Sequence, residues 1–175
     1  MRFLDLFKGK KAPPPVQEES YEEFASRLLD DFSKNDHLGK AAIARDKARA
    51  AEADKDYNAA WRLYHEQKEQ YLQHASNNRF TKTQSFALDA SVSQQLANIL
   101  RIEGKHDDAL VHILYWVASS AVPTTTQQQK LVAYFSRCKF EAVSEAVLQS
   151  TIEAFRGNPD FMHIKRTVDG WRGSK

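Results

Sequence analysis

Histidine and carboxylate side chains are the groups in this sequence that could transfer protons or hold a metal ion. The six histidines are His37, His65, His74, His106, His112 and His163. None belongs to a His-Glu-x-x-His element, and Cys138 is the only cysteine, so no ligand set for zinc has a recognisable spacing. Glu69 lies one helical turn after His65 and could orient it as a base, but such pairs are far more often surface contacts. We therefore predict no metal site and no enzyme.

Loops that bind phosphate groups are not indicated either. The chain contains six glycines and has no Gly-x-Ser-x-Gly element, no phosphate-binding glycine loop and no dinucleotide fingerprint. Asp107 and Asp108 follow His106 in a turn, where aspartate favours helix capping over an acid–base pair. We expect no cofactor.

Residues 96–110 are typical of a helix, a tight turn and the start of a second helix. The apolar residues of the first helix share one face: Leu96, Ala97 and Leu100. Gly104 lies where the chain must reverse, and glycine readily adopts the left-handed backbone that ends many helices. A second apolar stripe then runs from Ala109 to Trp116. The segment predicts a helical hairpin.

Weaker copies of this pattern lie on both sides. Tyr57 and Ala60 occupy the corresponding aromatic and small positions upstream, and Phe140 and Val143 occupy them downstream. The small positions 60, 109 and 143 are separated by 49 and 34 residues. A period of about 34 residues is that of the tetratricopeptide repeat. From residue 39 to residue 155 the chain resembles that family.

The expected fold is all-α. Few glycines and prolines and no alternating apolar pattern argue against a sheet, and the resemblance implies stacked antiparallel hairpins, a short solenoid. A polar break at residues 75–80 ends a long helix that begins near Tyr57, and one helix of about twenty residues should follow, from Thr83 or Ser85 through Ile102.

Flanking helices are predicted at both ends of the repeat region. Ser20 and Glu23 have the spacing of a capping box at the start of an N-terminal helix. Asn158-Pro159 should begin a C-terminal helix whose apolar stripe is Phe161, Ile164, Val168 and Trp171.

The resemblance also implies a binding surface, because the first helix of each hairpin in this family lines a concave groove. The aligned positions carry long polar side chains: Arg45, Arg49 and Glu52 from the first hairpin, and Gln94, Asn98 and Arg101 from the second. Some family members clamp a peptide carboxylate with similar residues. The third hairpin offers Gln128, Val132 and Phe135 instead, none of them basic, so a full clamp is not predicted. A solvated helix face is the simpler alternative.

Two segments divide the chain. Residues 1–19 combine an apolar and basic start with a proline run and are expected to be flexible, whereas residues 20–175 should form one helical domain. Contact of residues 1–11 with a membrane surface remains open but is not favoured. Residues 17–36 carry seven acidic and two basic side chains, a local charge of −5.

The class of function indicated is a protein–protein interaction module, an adaptor, chaperone or inhibitor that binds a peptide or a partner protein. The alternative is a component of a nucleic-acid-associated or regulatory complex that contacts acidic partners through basic termini. A net charge of +2 and no basic face with interleaved aromatic residues make nucleic acid a poor partner. The single cysteine suits a reducing compartment, and we expect a cytoplasmic location.

Overall fold

The computed structural model describes residues 20–172, and every regular element in that range is a helix. Their bounds are α1 Tyr21–Asn35, α2 His37–Ala53, α3 Tyr57–Asn77, α4 Lys82–Ala90, α5 Ser93–Ile102, α6 His106–Ala118, α7 Thr125–Cys138, α8 Glu145–Phe155 and α9 Phe161–Arg172. The predicted all-α class is confirmed. Among the helices of residues 20–172, none combines the length and the apolar character that a membrane-spanning segment requires.

The chain divides into two units between Asn35 and Asp36. The predicted flexible linker of residues 1–19, and the membrane contact considered for residues 1–11, lie outside the described residues. In the first unit, α1 begins with the predicted capping box: the Glu23 backbone N–H donates to Ser20 Oγ at 3.2 Å, and the Ser20 N–H donates to the Glu23 carboxylate at 3.0 Å. No residue of α1 is buried.

The first hairpin of the second unit is formed by α2 and α3. Asp36 caps α2 and Asp56 caps α3 through their carboxylates, which accept backbone N–H groups at 2.8 and 2.9 Å. Lys55 turns the chain with a φ of 62°, in the left-handed region. Ala48 and Ala60 are fully buried where the two helices meet. The predicted hairpin, including a long helix from Tyr57, is confirmed.

The predicted single helix from residue 83 to residue 102 is wrong. The chain bends at Ser91–Val92 and forms α4 and α5 instead, with the α4 cap supplied by Thr81 and Gln84. The two halves pack against different neighbours, since α4 lies mainly on α3 and α5 mainly on α6. Tertiary packing therefore overrides a local sequence that contains no glycine or proline at the bend.

The predicted turn at Gly104 is confirmed. Its φ is 76°, and the Lys105 N–H donates to the Leu100 carbonyl at 2.8 Å, which closes α5. The helix that follows, α6, is the centre of the second unit, and nine of its residues are buried: Ala109, Leu110, Val111, His112, Ile113, Leu114, Tyr115, Val117 and Ala118. Three further helices, α7, α8 and α9, all pack against it.

The predicted start of the second helix in the third hairpin is wrong, because that helix begins only at Glu145. Lys139 ends α7 with a φ of 53°, and the chain then stays non-helical until Ser144 caps α8. Phe140 and Val143 thus lie in the connection, where Phe140 packs its ring 5.8 Å from that of Trp171. Because this connection is longer than a tight turn, α8 is not held directly against α7 and packs on α6.

The last helix begins slightly later than predicted. Pro159 precedes α9, and Asp160 supplies the cap by accepting the His163 N–H at 2.7 Å. The predicted apolar stripe is confirmed, since Ile164 and Val168 are fully buried against α6, with the aromatic rings at either end of the stripe partly buried.

Candidate functional site

An ion pair and a hydrogen bond to it join three helices inside the second unit. Lys68 of α3 places Nζ 3.2 Å from an oxygen of Asp89 on α4, and the Tyr115 hydroxyl of α6 donates to the same oxygen at 2.7 Å. Lys68 and Asp89 side chains are only 16% and 12% exposed. Burial and the adjacent Asp89 carboxylate raise the pKa of Tyr115, so the phenol stays protonated and donates.

His112 lies beside this ion pair and is itself buried. Its ring packs edge-on against Phe161 at 4.9 Å and Trp61 at 5.9 Å between centroids. Burial lowers the pKa of His112 to about 3, helped by the positive Lys68, so the imidazole is neutral. Nδ1 has no hydrogen-bond partner in the structure. Because Lys68 and Tyr115 both contact the Asp89 carboxylate, we interpret this cluster as a clamp between α3, α4 and α6.

The described residues contain no group of three or more histidine, cysteine or carboxylate side chains placed to hold a metal ion.

The six residues predicted to bind a partner lie in two groups. On α2, Arg45 pairs with Asp46 at 2.9 Å, Glu52 accepts the Tyr64 hydroxyl at 2.7 Å, and Arg49 is exposed. On α5, the three residues Gln94, Asn98 and Arg101 are half-buried. The Arg101 guanidinium donates to Asn98 Oδ1 at 2.7 Å.

These hydrogen bonds stay within each hairpin. The first hairpin meets the following helices through α3, which packs against α4 and α5. The predicted peptide groove formed jointly by the two groups stays a prediction.

A groove with an apolar floor runs between α7 and α8. Its volume is about 580 Å³, which lies within the usual range of ligand pockets. The apolar residues that line it are Val117, Pro123, Leu131, Val132, Ala146, Leu148 and Ile152. The polar residues at its rim are Gln128, Glu145, Gln149 and Arg156. We refer to this surface as the α7–α8 groove.

The floor and the rim of the α7–α8 groove differ in exposure and in polarity. Leu131, Leu148 and Ile152 are at most 3% exposed and form a fixed floor, whereas Val132 is 44% exposed on the wall. At the rim, Arg156 pairs with Glu153 at 2.8 Å. An apolar side chain of a ligand can therefore contact Val132 on the wall while its polar backbone meets amide and charged groups at the edge.

Two basic residues at the C-terminal end, Lys165 and Arg172, are paired with aspartates. The Arg172 guanidinium lies 2.8 Å from Asp107, and Lys165 lies 3.4 Å from Asp108 and 3.2 Å from Asp169. These carboxylates raise the pKa of both basic side chains. Asp107, Asp108 and Arg172 also line an open cleft at the start of α6, together with the basic side chains of Lys105, Arg137 and Lys139.

Sequence reasoning missed the α7–α8 groove. It named Gln128 and Val132, but only as positions where a carboxylate clamp fails. The useful signal was the pair of helix starts at Thr124 and Ser144, which both have capping residues, because a cap at Ser144 excludes Phe140 and Val143 from the following helix.

Residues 20–172 thus form an all-helical structure with a groove between α7 and α8 on its second unit. Comparison with protein-family models, with curated proteins and with solved structures gives no match.

Proposed function

We propose that this protein is a protein–protein interaction module that holds an apolar segment of a partner protein in the α7–α8 groove. The observation that carries the proposal is the groove itself, with its buried floor, its exposed Val132 and its polar rim. The exposed apolar wall favours contact with an apolar side chain of a partner, and amide and charged groups around it fix the partner's orientation.

The segment that fits is short. The groove follows α8, whose eleven residues span about 16 Å at 1.5 Å per residue. That length accommodates about three turns of an amphipathic helix, or about five residues of extended chain. Glu145 and Arg156 give the rim both signs of charge, so we expect selection by apolar anchors more than by net charge.

A tetratricopeptide-like stacking of the α2–α3 and α5–α6 hairpins forms part of the proposal, as the rigid support of α7 and α8. In that arrangement Arg45, Arg49, Glu52, Gln94, Asn98 and Arg101 would form a second, polar surface. The alternative of an acidic partner at the basic C terminus has less support, because Arg172 and Lys165 pair with aspartates of the protein itself.

The proposal is tested by selecting ligands from a random peptide display library on the immobilised protein. Binding of the selected peptides is then measured by fluorescence anisotropy for the parent and for Val132→Asp, which puts a charge on the groove wall. We expect a loss of at least about tenfold in affinity, equivalent to about 1.4 kcal/mol.

Ile43→Asp is the matched control, since Ile43 is an apolar residue of α2 that is 57% exposed and does not line the groove. It should bind like the parent. Arg49→Ala and Arg101→Ala test the polar surface in the same assay. If these two variants lose binding while Val132→Asp keeps it, the partner occupies the polar surface and the groove proposal is wrong.

A further inference from the structure

The apolar face of α1 is open to solvent along its whole length. Five large side chains of this one helix are exposed by 42% to 84%: Tyr21, Phe24, Leu28, Leu29 and Phe32. A helix of 15 residues is marginally stable alone in water, even with the Ser20 cap, and an aromatic and aliphatic face of this extent is typical of a surface that becomes covered on association.

The centre of this face, formed by Phe24, Leu28 and Phe32, reads the same in both directions. Phe24 and Phe32 lie four residues before and four residues after Leu28. In an antiparallel pair of identical helices related by a two-fold axis, a central residue meets itself and the residues on either side of it exchange partners. A stripe of this symmetry is complementary to itself.

We propose that α1 pairs antiparallel with α1 of a second copy of this chain, with Leu28 at the two-fold axis. Phe24 of each copy then packs against Phe32 of the other, so that four aromatic rings enclose the two leucines. This inference concerns self-association and is independent of the α7–α8 groove.

Charges beside the stripe fit the antiparallel arrangement. Arg27 lies over the Phe24 ring, 5.4 Å from its centroid, and Asp31 follows one turn later on the same flank. In an antiparallel pair related by a two-fold axis, each flank of one helix lies beside the identical flank of the other. Arg27 of each copy therefore approaches Asp31 of the other. The opposed helix dipoles also attract. In a parallel pair, each flank of one helix would lie beside the opposite flank of the other, and Arg27 of one copy would be separated from Asp31 of the other.

The pairing is expected to be weak and dependent on concentration. Two helices of 15 residues bury less than the roughly 1,200 to 2,000 Å² of a stable interface. Each α1 carries four acidic and two basic side chains, a net charge of −2, so the pair also repels itself at long range. Salt screens that repulsion together with the attraction between Arg27 and Asp31 and leaves the apolar contact intact, so association should persist at high salt.

Cysteine cross-linking of the full chain traps such a pair. Leu28→Cys places a thiol at the axis, and Asp30→Cys is the matched control on the opposite face of the same helix. Both variants keep Cys138, which is buried and contributes equally to the background. Under mild oxidation we expect a disulfide-linked dimer from Leu28→Cys at a rate at least about tenfold above that of Asp30→Cys, since only close Cα atoms can be bridged. Equal rates would overturn the proposal.

Sedimentation equilibrium supplies an independent measurement. The average mass of the parent should rise with concentration from 20.0 kDa toward twice that value, and Leu28→Asp should remain at 20.0 kDa. Ser26→Asp, on the polar side of α1, should behave like the parent. A parent that stays monomeric, or a Leu28→Asp variant that associates as strongly as the parent, contradicts pairing through α1 and assigns its apolar face to another occupant.

Discussion

The ammonium group of Lys68 lies 3.2 Å from the carboxylate of Asp89, and both side chains are at least four-fifths buried. Lys68 also lies 5.7 Å from the centroid of the Tyr115 ring, whose hydroxyl donates to Asp89. One ion pair thus ties α3, α4 and α6 together beneath the surface. Its geometry matters because breaking a buried pair leaves one charge without compensation.

We expect Lys68→Met to destabilise the protein by about 2 to 4 kcal/mol, somewhat below the cost of breaking a fully buried pair because some solvent contact remains. Urea unfolding followed by circular dichroism measures this loss. Lys105→Met is the control, since it breaks an exposed pair with Glu103 and should leave the unfolding midpoint nearly unchanged. Equal effects of the two variants would contradict the assignment of Lys68 as a clamp.

The low pKa of His112 makes stability depend on pH. Folding lowers that pKa from 6.5 to about 3, so the unfolded chain binds one more proton than the folded chain between those values. The contribution of neutral His112 is complete above pH 6.5 and is lost as the pH falls toward about 3. The slope from this one group is at most about 1.4 kcal/mol per pH unit.

His112→Leu should remove that part of the acid sensitivity while keeping an apolar side chain between Phe161 and Trp61. The measurement is the free energy of unfolding of parent and variant at a series of pH values from 7 down to about 4. We expect a shallower decline for the variant. The same slope in both proteins would show that His112 does not titrate on unfolding in this range.

The turn before α6 and the turn after α7 carry different residues in the same left-handed backbone, so substitutions at Gly104 and Lys139 should change stability in opposite directions. Gly104 has a φ of 76° with open space where a side chain would begin, so Gly104→Ala should cost about 1 kcal/mol through backbone strain alone. Lys139 adopts the same left-handed region with a φ of 53°, and Lys139→Gly should stabilise the fold by up to about 1 kcal/mol. Thermal unfolding should show shifts of opposite sign, and shifts of the same sign would be inconsistent with the turn geometry.

Local signals in the sequence predicted much of the helix pattern. The capping residues Ser20 and Glu23, the small position Ala60 and the glycine at position 104 each act within one or two turns of helix. The apolar stripe of α9 is likewise a repeat within a single element. Such features depend on the backbone nearby, so they can be read without knowledge of the packing.

The features that sequence reasoning missed depend on contacts between distant segments. Nothing local marks Ser91 as a bend, since the bend arises because α4 and α5 pack on different helices. Lys68, Asp89 and Tyr115 are far apart in the chain and share no motif spacing. The α7–α8 groove exists because residues 139–144 form a connection, which places α8 on α6 and opens a space beside α7.

The most direct test of the proposed function is the position of a selected peptide on the protein. Backbone amide chemical shifts of the isotope-labelled parent are recorded during titration with that peptide. We predict that the perturbed amides concentrate in α7, α8 and the end of α6, including Val132, Leu148 and Ile152, with little change at Arg49 or Arg101. Shifts concentrated on α2 and α5, with the α7–α8 groove unchanged, would contradict the account.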